Sequence, residues 1–229
     1  MRILIIGDSL TFYPLNIREN TYGLILKKYF KSKENVEVFI ISHADNHTRA
    51  QSTFTRLIYN VNQFKPNIVV VHLGINDCAP RLFMEFDELF IRSLPIFLKM
   101  RIIGFMSKYR GFFTKKFPKV HVKINDFQRN YQKILANIKK LKASPIIINI
   151  AKPAERHITR SYNLLNNVKS YNKILSNLAE KNQCKLIDLY TLLESEPQLR
   201  SDDGIHLSKH GHKRVAKILE KEIESIVCE

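Results

Sequence analysis

At 229 residues, with 45% apolar and 25% charged side chains, the chain is long enough to bury a sizeable core and too apolar to be disordered. Its 37 Lys and Arg against 21 Asp and Glu leave a formal charge of +16, which suits nucleic acid, anionic lipid or an acidic polymer and equally suits a Lys-, Asn- and Ile-rich coding habit. Cys78, Cys184 and Cys228 are an odd number at wide spacing with no CxxC, which excludes a disulfide scaffold and a zinc knuckle.

The first element in chain order is "RILII" at 2–6, which runs straight into "GDSL". So short an apolar run is no secretory signal, and no later stretch reaches the roughly 20 apolar residues of a membrane span. A cytoplasmic protein is expected, or one peripheral at the inner membrane surface. A helical pattern at 22–31 leads to "VEVFII" at 36–41 and the polar loop "SHADNHTRA" at 42–50. A second at 51–64 leads to "NIVVVHL" at 67–73 and then "GIND". Beyond a long connection, patterns at 126–141 and 162–181 flank "PIIINI" at 145–150, and "CKLIDL" follows at 184–189. The stripe Leu164, Leu165, Val168, Tyr171, Ile174, Leu175 and Leu178 marks one buried helix face. "DDGIH" and a closing helix at 209–227 end the chain.

Near-continuous β-branched strands are what a sheet buried on both faces requires. Their alternation with helices predicts an α/β fold, a flavodoxin-like three-layer sandwich with a five-stranded parallel sheet and right-handed crossovers. One domain over 1–229 is expected, carrying an inserted helical segment at about 81–123. That segment is rich in Phe, Leu and Ile and dotted with Lys and Arg. It reads as helices over their own small core, a cleft lid, an oligomer contact or an amphipathic surface on anionic lipid, with Gly104 and Gly111 as hinges or helix ends. Reactive groups of an open parallel sheet belong on the loops leaving the carboxyl ends of its strands. "GDSL", "HADNHT", "GIND" and "DDGIH" all fall on that edge.

A serine hydroxyl is a poor nucleophile until a base takes its proton, and the base needs a carboxylate to fix its tautomer and stabilise its charged form. Ser9 after the first strand, His206 as base and Asp203 three residues before it form such a set, with Asp202 an adjacent competitor. An ester carbonyl also needs donors for the oxygen that turns negative. The backbone N–H of Ser9 and the side-chain amide of Asn76 are candidates. Asp8 and Asp77 read as turn residues that hold Ser9 and Asn76 in place.

Gly7-Asp8-Ser9-Leu10, Gly74-Ile75-Asn76-Asp77 and Asp203-Gly204-Ile205-His206, in this order and each after the right element, resemble the first, third and last blocks of the GDSL, or SGNH, hydrolases. "LSKHGHKRVA" at 207–216 is similar to the helix start that follows in that family of esterases, lipases and carbohydrate deacetylases. The resemblance spans nearly the whole chain. It implies Ser9 as nucleophile, His206 and Asp203 as its partners (the family spacing favours Asp203 over Asp202), and Gly7, Asp8, Gly74 and Asp77 as site support. It also implies a third oxyanion donor, a glycine after the second strand. Residues 42–50 contain no glycine, and distance from the strand puts Asn46 there, with Ala44 the alternative. Asparagine tolerates the left-handed backbone better than most residues.

The expected activity is a metal- and cofactor-independent serine esterase that removes small acyl groups, O-acetyl on a carbohydrate or surface polysaccharide foremost, through an acyl-enzyme. The alternatives are an O-acetyltransferase using the same site and an inactive binding protein for an anionic polymer. Nucleic acid is disfavoured, because no recognised binding motif is present. His210 and His212, two apart, do not share a helix face as metal ligands would. His43 and His47 read as loop residues able to touch substrate, His72 as a core histidine and Cys78 as a buried structural thiol.

Overall fold

The computed structural model describes residues 1–12, 20–33, 35–42 and 50–228. Five strands form one parallel sheet: β1 (Arg2–Gly7), β2 (Glu37–Ser42), β3 (Ile68–His72), β4 (Ser144–Ile148) and β5 (Lys185–Ile187). Ile3 to Ile6, Ile68 to Val71 and Ile146 to Ile148 are all buried, which is why these strands are apolar throughout and do not alternate. Each such side chain contributes about 1.5–3 kcal/mol when removed from water.

The helices in chain order are α1 (Ser9–Phe12), α2 (Tyr22–Lys31), α3 (Ala50–Phe64), α4 (Ile75–Cys78), α5 (Glu85–Ser93), α6 (Ile96–Lys108), α7 (Arg110–Lys116), α8 (Ile124–Lys140), α9 (Glu155–Arg160), α10 (Leu164–Asn182), α11 (Leu189–Ser195) and α12 (Lys209–Cys228). Phe127, Tyr131, Ile134, Leu135 and Ile138 are the buried face of α8, at helical spacing. Helices α3 and α10 pack on α8, and α2 packs on α12, giving the two outer layers.

The strand order is β2-β1-β3-β4-β5. The chain leaves β1 in one direction to make β2 and returns to place β3 on the other side of β1. This reversal opens a crevice beyond the carboxyl ends of β1 and β3. Gly7 pairs with His72 at that end, so the loops carrying Ser9 and Asn76 emerge side by side.

Strand five ends earlier than its apolar pattern suggests. Asp188 caps α11 instead, accepting the Thr191 N–H at 3.1 Å and the Thr191 hydroxyl at 2.6 Å. The inserted segment is three helices, α5 to α7. Its ends are tied together, since the Arg81 N–H reaches the Lys119 carbonyl at 2.9 Å and Lys119 pairs with Asp87 at 2.8 Å. The segment does not simply cover its own core. Helix α6 has no buried residue, and Phe97, Met100 and Phe105 lie about 60% exposed, at 61%, 62% and 58%. Among the described residues no helix is long and apolar enough to cross a membrane.

The last loop is held by backbone contacts that leave no spare room. Ser208 N–H donates to the Leu199 carbonyl at 2.8 Å, and Arg200 bridges to Leu207. A methyl group on Gly211 would lie 2.1 Å from the same Leu199 oxygen. Gly211→Ala should therefore destabilise by about 1–3 kcal/mol through overpacking, lowering the melting temperature by several degrees, roughly 2–4 °C per kcal/mol. Thermal denaturation followed by circular dichroism measures it; an unchanged midpoint would contradict this close approach.

Candidate active site

Gly7 ends β1 without a side chain because the chain turns back on itself at once. A Cβ there would sit 1.8 Å from the Thr11 hydroxyl. The turn is fixed by Asp8: its N–H donates to the His72 carbonyl at 3.3 Å, its carbonyl accepts from Thr11 N–H at 3.0 Å, and Oδ1 accepts from Leu10 N–H at 3.0 Å. Beneath it the Thr11 hydroxyl, the Tyr22 hydroxyl and His72 Nδ1 form a buried chain with steps of 2.7 and 3.0 Å. Ser9, the first residue of α1, is left half-buried.

His206 arrives from the other end of the chain. Its Nε2 lies 3.0 Å from Ser9 Oγ, and its Nδ1 lies 2.7 Å from Asp203 Oδ2. The second oxygen of Asp203 accepts from the N–H groups of Ile205 and His206 at 2.8 and 2.9 Å. Burial pushes the Asp203 carboxyl up, but these two N–H groups, the His206 ring and the Ser201 hydroxyl outweigh it and hold the group well below the usual carboxylate range. An ionised Asp203 can only accept, so Nδ1 carries the proton and Nε2 presents its lone pair to the serine O–H. Asp203 is thus the carboxylate on His206, and the backbone carbonyl of Asp202 accepts from Arg156.

Helix α9 holds this loop from outside. Ala154 N–H donates to the Gly204 carbonyl at 2.8 Å, and His157 Nε2 donates to the Asp203 carbonyl at 2.6 Å. Gly204 adopts φ +80°, and a side chain there would press on Ala154 at 2.9 Å. His157 is a residue the sequence reading passes over. A lone histidine in a six-residue helix carries no sequence signal, and only the folded chain brings it 46 positions along to Asp203.

Asn76 sits in α4, just after Gly74. That glycine turns at φ +141° with Ile150 where a Cβ would go, and the Leu73 carbonyl before it is pinned by the Tyr131 hydroxyl at 3.0 Å. Arg81 Nη2 donates to the Asn76 carbonyl at 2.9 Å and to Asn76 Oδ1 at 3.2 Å. A guanidinium can only donate, so the oxygen of the Asn76 amide must face Arg81 and its NH2 is turned the other way. Arg81 is a second residue absent from the sequence reading. It was lost at the edge of the inserted segment.

Ser9, Asn76 and His206 line one cavity of about 330 Å³, together with Arg81, Arg110, His157 and Arg160. The Ser9 N–H lies at the start of α1, and the Asn76 NH2, turned away from Arg81, belongs to a side chain lining the same cavity. Asn46, Ala44, His43 and His47 lie outside the described residues. Asp77 is buried, its N–H on the Gly74 carbonyl at 3.1 Å. Burial pushes Asp8 up to about 7, opposed by the Leu10 N–H and reinforced by the charge of Asp77. Burial, then the like charge of His212, lowers His72 to about 3 and keeps it neutral. His212 is fully buried, its Nδ1 accepting from Tyr22 N–H at 3.2 Å, while His210 is exposed. Among the described residues no three His, Cys, Asp or Glu side chains are placed to hold a metal ion. Burial pushes the Cys78 thiol far up, which suits a structural role.

A search of curated proteins finds none that matches this sequence. Solved structures do resemble it. A lipase/acylhydrolase from Enterococcus faecalis superposes with a TM-score of 0.69 at 18% identity, covering 98% of this chain and 96% of its own. The acetyl xylan esterase AlAXEase gives 0.67 at 19%, covering 97% and 100%. A catalytic mutant of Axe2, an acetylxylan esterase from Geobacillus stearothermophilus, gives 0.64 at 17%, covering 97% and 93%. At these identities the likeness establishes the fold. The profile of the GDSL-like lipase/acylhydrolase family matches residues 5–214, and with the serine, histidine and asparagine loops meeting at one cavity the chain belongs to that family of serine hydrolases.

Proposed function

We propose that this protein is a serine esterase that hydrolyses small acyl esters, O-acetyl groups on a carbohydrate above all, through an acyl-enzyme. The observation that carries the reading is the unbroken chain Ser9 Oγ, His206, Asp203 at 3.0 and 2.7 Å. Ser9 Oγ attacks the ester carbonyl as its proton passes to His206 Nε2. The charge that develops on the imidazolium is balanced by Asp203, and the charge on the carbonyl oxygen by the Ser9 N–H and the Asn76 amide. Collapse expels the alcohol, which takes the proton from His206. Water, deprotonated by the same ring, then releases the acid and restores Ser9. Every group this cycle uses comes from the chain itself. The acetylated-carbohydrate substrate is supported by the acetyl xylan esterases among the structural relatives and by a cavity of monosaccharide scale. We further infer that residues 1–229 act as one domain, the 81–123 segment serving as a wall of the cleft.

The same segment supports an anionic membrane surface as a partner. Between Glu88 and Asp126 there is no Asp or Glu, while Lys99, Arg101, Lys108, Lys115 and Lys116 lie among exposed Phe97, Met100, Phe105 and Phe112. Apolar side chains facing outward beside cations, several of them held over aromatic rings, match an anionic lipid interface. A second copy would bring the same positive charge and be repelled.

A fluorophosphonate probe should label the intact protein and not Ser9→Ala, whose turnover of acetyl esters should fall by about a thousandfold or more; a well-folded protein that neither labels nor turns over would end the esterase reading. Asp203→Asn should lower kcat by roughly a thousandfold. The depressed Asp203 pKa also stabilises the fold above the unfolded carboxyl value of about 3.9 and is lost as pH falls below it, so acid unfolding followed between pH 5 and pH 2 should be shallower in Asp203→Asn. Vesicles containing anionic lipid should sediment with the protein at low salt and release it as salt rises. Replacing Phe97, Phe105 and Phe112 together by serine should weaken that binding about tenfold or more, and equal sedimentation of the triple variant would remove the membrane partner.

A further inference from the structure

The cavity around Ser9 carries more positive charge than ester hydrolysis requires. Arg81 follows the Asn76 turn, Arg110 begins α7 and Arg160 ends α9, and these three arginines from separate segments line the same 330 Å³ space with no Asp or Glu among its described lining residues. Arg81 has a local reason to be there. It holds Asn76, and the charges of Asp77 and Glu88 act on it favourably.

Arg110 and Arg160 have no such compensation. Arg110 donates from Nε to the Ser161 hydroxyl at 2.6 Å and from Nη2 to the Pro80 carbonyl at 2.6 Å. Arg160 donates from Nη2 to the Ser107 hydroxyl at 3.3 Å. These acceptors are neutral, so they orient each guanidinium and leave its charge in place. Burial, followed by the like charges of Arg81 and Arg160, works against the charged form of Arg110. Converging cations in a half-closed cleft repel one another, and an anion bound between them relieves that repulsion. Each guanidinium has five N–H donors in a flat fork suited to carboxylate, phosphate or sulfate oxygens, and the contacts above use only part of them.

We propose that Arg110 and Arg160 form an anion subsite inside the Ser9 cavity, so that the preferred ester is borne by a molecule with a carboxylate, phosphate or sulfate close to the acylated hydroxyl. The inference rests on the esterase reading and narrows its substrate class: an acidic sugar or sugar phosphate is selected over a neutral one such as an acetylated xylose unit. The anion stays unchanged through the reaction. The bond that breaks is the ester bond, and the charge serves to seat that ester against Ser9.

The test compares kcat/KM on three acetyl esters of one sugar framework: a neutral methyl glycoside, the corresponding uronate and the corresponding sugar phosphate. The two charged arms distinguish carboxylate from phosphate as the preferred anion. At low salt, at least one charged ester should exceed the neutral one by about ten- to a hundredfold, the range of a charged hydrogen bond gained. That advantage should shrink as salt rises. In Arg160→Gln, at an exposed position, the charged-to-neutral ratio should fall at least fivefold, and Arg160→Lys should recover part of it. Arg110→Gln should lower the ratio as well. Because the ratio is formed within each variant, loss of folded enzyme cancels. A role for the arginines only at the oxyanion or in packing would leave it unmoved. Turnover of the neutral ester with a wild-type ratio near one, or a ratio unaltered in both glutamine variants, overturns the subsite while the esterase stands. No turnover of any ester together with no fluorophosphonate labelling overturns both.

Discussion

The 3.0 Å contact between Ser9 Oγ and His206 Nε2 joins residues 197 positions apart, and the sheet exists in the order that makes it possible. Because β2 and β3 lie on opposite sides of β1, the loops after β1 and β3 open into one crevice. The loop after β5 reaches the same crevice only by a detour through α11 and a short turn at Pro197–Leu199. Its path is then clamped by α9 and by the Leu199 carbonyl. The rigidity sits where the geometry is most demanding. A hydrogen-bonded serine and imidazole tolerate little displacement before proton transfer fails.

Two carboxyl groups lie near the nucleophile, and their surroundings push them in opposite directions. Asp203 is bonded by two backbone N–H groups and an imidazole and stays ionised, which suits a partner for a charged ring. Asp8, one residue before Ser9, is fully buried with Oδ2 unpartnered, and its value of about 7 keeps much of it neutral near physiological pH. Under the proposed mechanism, a full negative charge at that place would oppose the charge that develops on a substrate carbonyl at the Ser9 N–H. Burial thus separates two identical side chains into an ionised orienter and a turn residue whose carboxyl is pushed up toward neutrality. As pH rises through 7, Asp8 ionises at the expense of the fold, because its folded value lies above its unfolded one.

Much of this was legible in the sequence because it rests on local pattern. Uniformly apolar runs identified the strands, and helix α2 occupies the residues its periodicity marks, Tyr22–Lys31. Gly7, Gly74 and Gly204 mark backbone turns that no side chain fits. The parts that were not legible depend on contacts made across the fold. Helices α9 and α11 are six and seven residues long, too short for a periodic stripe, and are held by Asp188, Ser161 and their neighbours. Arg81, Arg110, His157 and Arg160 look like ordinary polar residues in sequence, since a side chain that binds a carbonyl 46 residues away, as His157 does, has no local signature. Asn46 followed from a distance along the chain alone, and its loop lies outside the described residues.

The excess positive charge, uninformative as a total, becomes interpretable once it is divided by environment. Arg101 and Lys108 on α6 are exposed and Lys99 half-buried, among exposed aromatic and aliphatic side chains. Their field is screened within about 8 Å at physiological salt, so in the proposed membrane contact they would act only at close range. Arg110, half-buried, and Arg160, exposed, both line the Ser9 cavity, and in the proposed subsite their planar forks would select a bound anion by geometry. Helix α7 begins with Arg110 in the cleft and ends with Lys115 and Lys116 outside it, so one short element serves both fields. The proposed membrane face and the proposed anion subsite thus meet on one short helix, and Ser9 lies on the wall of the same cavity as Arg110.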